Sequence, residues 1–72
     1  LAFTEAQLQT ALDSAVSGLG CVITKFDATS SASFTDVGVQ NMNTSARKAG
    51  IVQVATSNNA TQAAAAILAA LS

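Results

Sequence analysis

Seventy-two residues with a formal charge of −1, only 10% of them charged, leave room for one small domain and little long-range electrostatic field. Lys25, Arg47 and Lys48 are the whole basic complement and Trp and Tyr are absent, so neither a phosphate-binding stripe nor a base-stacking platform exists and nucleic acid is excluded as an expected partner. Histidine is also absent and cysteine occurs once, which removes the usual general base, the commonest transition-metal ligand and any internal disulfide.

A chain this short buries only about 60% of the surface its unfolded form exposes. Small domains compensate with disulfides, a metal or oligomerisation. With one cysteine and no histidine, oligomerisation is the device expected here, and an uncharged surface rich in Ala, Ser, Thr, Asn and Gln suits close packing between subunits. A lone cysteine fits a reducing compartment, or a virus particle assembled in a cytoplasm, better than a disulfide-stapled secreted domain. Residues 1–9 carry no basic segment followed by an apolar run, so no secretion signal is read, and Leu1 at the start suggests that a methionine or a leader has been removed.

The spacing predicts a first helix over residues 5–18. Thr4 is placed to cap it, Gln7 stands three residues on, and Phe3 is placed to pack on Leu8 as a hydrophobic staple. Leu8, Ala11, Leu12, Ala15, Val16 and Leu19 recur at three- and four-residue steps, while Gln9, Thr10, Asp13, Ser14 and Ser17 occupy the other face. Gly18 and Gly20 supply a stop. Residues 21–26 are rich in β-branched types and read as a strand, with Val22, Thr24 and Phe26 alternating against Cys21, Ile23 and Lys25. Neither set is cleanly polar, which points to burial on both faces at the start of the strand.

Residues 27–33 form a small polar loop. Residues 34–40 are read as a strand from the alternation of Val37 and Val39, pairing with residues 21–26 as a hairpin. The competing reading is a helix over 36–49, which would make the fold mostly α. A short helix is expected at 44–49 in either case, then a strand at 51–55 and a final helix at 60–71. A helix between two strands also allows a parallel crossover. The fold class expected is α+β: a sheet of two to three strands with an N-terminal and a C-terminal helix packed on it, residues 1–72 forming one domain.

The last helix organises the rest. Asn59 and Gln62 form a second capping pair, and the run from Ala63 to Leu71 is apolar all round, so it belongs inside a core or an interface. At roughly 20 Å it is too short for a bilayer core of about 30 Å. The large apolar groups available to cover it are Leu8, Leu12, Val16, Ile23, Phe26, Ile51 and Val54, enough for one side only. The other side is mostly alanine, and Ala65, Ala66, Leu68 and Ala69 are the expected contact surface.

No residue pattern carries catalysis, and no cofactor, metal or small-molecule substrate is expected. Cys21 at a strand start reads as a small core residue in preference to a reactive thiol. Lys25 beside Asp27 reads as a solvated strand-end charge in preference to a Schiff-base lysine. Asp27 and Asp36 flank a Ser/Thr-rich loop without the spacing of a calcium loop, and the scattered glycines make no phosphate cradle. Two Asn-x-Ser/Thr matches, at Asn43 and Asn59, mean little without a signal peptide.

The expected function is therefore a non-enzymatic structural or assembly subunit of a larger symmetric complex, such as a minor, cementing or decorating virion protein, whose partners are its own copies or other subunits. A filament or pilus-like subunit, or a membrane-active peptide, is the first alternative, although the short final helix and lack of a basic face disfavour the membrane. An adaptor that binds a partner protein through its C-terminal helix is the second.

Overall fold

The computed structural model describes residues 1–15, 21–29, 31–41 and 49–71. The chain is α+β, in the order α1 (Glu5–Ala15), β1 (Cys21–Lys25), β2 (Phe34–Asn41), β3 (Ala49–Ala55) and α2 (Ala60–Ala70). The three strands form one antiparallel meander with β2 in the middle, and both helices lie on the same face of it, α1 against β1 and α2 against β3.

Both helix starts follow from local chemistry. At α1 the Gln7 side chain accepts from the Thr4 N–H at 2.9 Å and Thr4 Oγ1 accepts from the Gln7 N–H at 3.1 Å. At α2 Asn59 and Gln62 make the same reciprocal pair at 2.8 and 3.0 Å. Each box satisfies two N–H groups that a helix start otherwise leaves without partners.

The core is the layer between helices and sheet. Leu8 and Leu12 from α1, Ala63, Ala64 and Ile67 from α2, and Cys21, Val37, Val39 and Val54 from the strands are buried together, with Phe3 and Leu71 closing its ends. Each large aliphatic side chain so buried contributes about 1.5–3 kcal/mol relative to exposure. Phe3 also meets Phe26 edge to face, with ring centroids 5.9 Å apart.

Several expectations are corrected. Residues 36–41 lie within β2, which removes the mostly α alternative, and β2 pairs antiparallel with both neighbours, which removes the parallel crossover. Val37 and Val39 face the helices and alternate with polar or small neighbours, so a period of two decides the segment. Ala49 and Gly50 begin β3 where the end of a short helix was expected, because both pair with β2. The remainder of that expected helix, 44–48, lies outside the described residues, as do 16–18 of the first helix.

The faces of β1 are also corrected. Ile23 pairs with Val39 but Lys25 pairs with Gly38, so a bulge at Thr24 breaks the alternation. One extra residue reverses which side each later side chain takes. Lys25 consequently leaves the helix-covered face, where its charge would have been desolvated, and Phe26 turns in toward Phe3. Gly38 makes this possible: a Cβ there would stand 2.8 Å from Lys25 Cβ and 2.8 Å from Thr24 Oγ1.

Candidate functional site

Two helices on one face leave the other face of the sheet without a covering layer among the described residues. Pairing across the strands places Val22, Phe34 and Ile51 on that outer face with Asp36, Gln40 and Gln53. Val22 is 48% exposed, Phe34 53% and Ile51 59%. Ile51 was expected in the core and is instead the most exposed large apolar side chain described, because it lies one residue out of phase with the buried Val54 and half-buried Val52. The burial of β1 on both faces is overturned on the same ground.

The two sheet edges are unlike. At β1 the Gln9 side chain donates from Nε2 to the Cys21 carbonyl at 2.7 Å and accepts at Oε1 from the Ile23 N–H at 3.3 Å. A side-chain amide thereby takes the place of a neighbouring strand. Lys25 and the bulge add two further devices that discourage pairing at that edge. Strand β3 runs in unbroken register with β2 from Ala49 to Ala55 and contains no charge, no proline and no bulge. Among the described residues, no side chain clamps its outer edge as Gln9 clamps β1. At its far end Ala2 N–H donates to the carbonyl of Thr56, and Thr56 Oγ1 donates to Ala32 O at 2.7 Å.

On α2, the expected contact residues Ala65, Ala66 and Ala69 are exposed, and Leu68 is half-buried against the core. Ala65 and Leu68 line a groove of about 620 Å³ between α1 and α2, together with Thr10, Ala11, Ser14 and Thr61. Ala66 lies on the opposite flank by the 3.6-residue period.

The residues weighed for chemistry are placed as follows. Cys21 is buried, and burial pushes its thiol above the ordinary value of 9.0, the opposite of an activated nucleophile. Lys25, Asp27 and Asp36 line one small cavity of about 220 Å³ with Phe34 and Thr35. Asp27 accepts from Thr29 Oγ1 at 2.8 Å and Thr29 N–H at 3.0 Å, and these bonds, with Lys25 nearby, hold its carboxyl below the ordinary value of 3.8. It closes a turn, the role expected of it. Among the described residues, no three His, Cys, Asp or Glu side chains converge as metal ligands, and no helix is long and apolar enough to cross a membrane.

No protein family, curated protein or solved structure matches the chain. The residues that sequence reasoning missed are Gln9, Val22, Phe34 and Ile51. Gln9 stands on the polar side of α1 like Thr10 or Asp13, and only the position of β1 distinguishes it. The outer-face residues carry an alternation signal, but which phase faces the helices is a tertiary fact.

Proposed function

We propose that the chain is a non-enzymatic structural subunit of a larger assembly, docked through the sheet face opposite its helices. The observation that carries this reading is the exposure of Val22, Phe34 and Ile51 on one face of a sheet whose other face packs against both helices. Isolated exposed apolar residues are ordinary, but three on a single face mark a surface suited to contact. The low charge density supports the same reading, since little desolvation of ions accompanies burial. A minor or decorating component of a virion is one such setting.

The adaptor reading has less support. Ala63, Ala64, Ile67 and Leu71 of the C-terminal segment belong to the chain's own core, so lending α2 to a partner's groove would open that core.

The test is the state of association of the purified chain at micromolar concentration. Light scattering should show oligomers, and Phe34→Lys combined with Ile51→Lys should reduce them without altering circular dichroism. A well-folded monomer at all concentrations would sink the reading.

A further inference from the structure

We propose that two copies of this chain associate by antiparallel pairing of β3 with β3, about a two-fold axis perpendicular to the sheet, so that two three-stranded sheets merge into one of six strands. This rests on the reading of the chain as an assembly subunit and names its partner as a second copy.

The inequality of the two edges is the first ground. Edge strands invite pairing through their unused N–H and C=O groups, and proteins that stay monomeric blunt them with charges, prolines, bulges or covering groups. Here β1 has Lys25, a bulge and the Gln9 amide. Strand β3 has seven residues, a regular register and, among the described residues, none of these.

The second ground is charge. In a two-fold interface both copies contribute the same strand, so any charge on it enters the junction twice. The β3 sequence AGIVQVA has no ionisable side chain to desolvate, whereas an equivalent pairing of β1 would carry a Lys25 ammonium group into the junction from each copy.

The third ground is the helix above β3. Paired strands stand about 4.7–4.9 Å apart, while packed helices ordinarily keep 8–10 Å, so joining the sheets presses the two copies of α2 toward each other. Only small side chains on the facing flanks permit that approach. Because α1 occupies the side of α2 lined by Thr61, Ala64, Ala65 and Leu68, the flank over the free edge carries Ala66 and Ala70, both exposed, with Gln62 one turn earlier folded back onto Asn59. The axis also fixes which residues meet. Outward-facing Ile51 must lie opposite another outward-facing position of the partner's β3, which keeps the outer faces of the two sheets on one side across the junction.

Amide hydrogen exchange on the full chain, read by NMR at low and high protein concentration beside sedimentation, tests this. As the chain associates, the β3 amides not bonded to β2 should gain protection. Ala66→Arg should weaken association by about tenfold or more and abolish that gain while leaving circular dichroism unchanged. Association without added protection in β3, or an unchanged dissociation constant for A66R, overturns strand pairing and leaves the assembly reading standing. A chain monomeric at every concentration overturns both.

Discussion

The Gln9 amide grips the backbone of β1 at Cys21, donating to its carbonyl at 2.7 Å, and reaches Ile23 two residues on with its oxygen. The same Nε2 donates to Asp13 Oδ1 at 3.0 Å, which holds the amide in one orientation. Three bonds converge on one side chain that joins the first helix to the edge of the sheet.

Replacing Gln9 tests that joint. Methionine keeps the volume but removes both backbone partners and keeps water out, leaving a part-buried carbonyl and N–H unsatisfied, at about 1–3 kcal/mol. Alanine admits water and should cost less. Urea midpoints of Gln9→Met and Gln9→Ala decide it, and equal midpoints for the two variants and the natural chain would show that the amide contributes nothing.

Gly38→Ala should destabilise the fold by about 1–3 kcal/mol, because its Cβ would meet Lys25 Cβ and Thr24 Oγ1 at 2.8 Å across the bulge. Gly50→Ala meets nothing within 4 Å and serves as the control. Thermal midpoints of the two variants should differ clearly, and comparable losses would mean that the close approach at Gly38 is not what selects glycine.

Cys21 should resist thiol reagents in the folded chain and react at the rate of global or local opening. Burial raises its folded pKa above the unfolded value, so the neutral thiol's contribution to stability is fully present below the unfolded pKa. It is lost as pH rises through the folded value. Rapid labelling under native conditions, or stability that does not fall in alkali relative to Cys21→Ala, would contradict this.

Asp27 titrates in the opposite sense. Its folded pKa is depressed by Thr29, so its contribution is present above the ordinary value of 3.8 and fades as pH falls through the lower folded value. Carboxyl NMR should show Asp27 titrating below its ordinary range, and Thr29→Val should return it upward. A carboxyl unmoved by that substitution would place the cause elsewhere.

On α2, Ala65→Asp and Ala69→Asp should hinder assembly without changing circular dichroism if either exposed position is covered in the complex. Ile67→Ala removes a fully buried side chain from the core and should cost about 2–5 kcal/mol in denaturant unfolding. An assembly indifferent to both charges confines the contact to the outer sheet face and to the β3 edge with the Ala66 flank above it.

Sequence by itself determined the helix starts and the need to bury one side of residues 60–71, and it favoured α+β over a mostly α fold without deciding between them. Capping pairs and apolar periodicity act within a few residues, so Thr4 with Gln7 and Asn59 with Gln62 were legible without a fold. Tertiary structure alone decided which phase of each strand faces the helices. It made Ile51 a surface residue and Val37 and Val39 core, turned Lys25 outward through the bulge at Thr24, and brought Gln9 to the edge of β1. Alternation in a strand is symmetric between its two faces, and the symmetry breaks only when a helix layer settles on one of them.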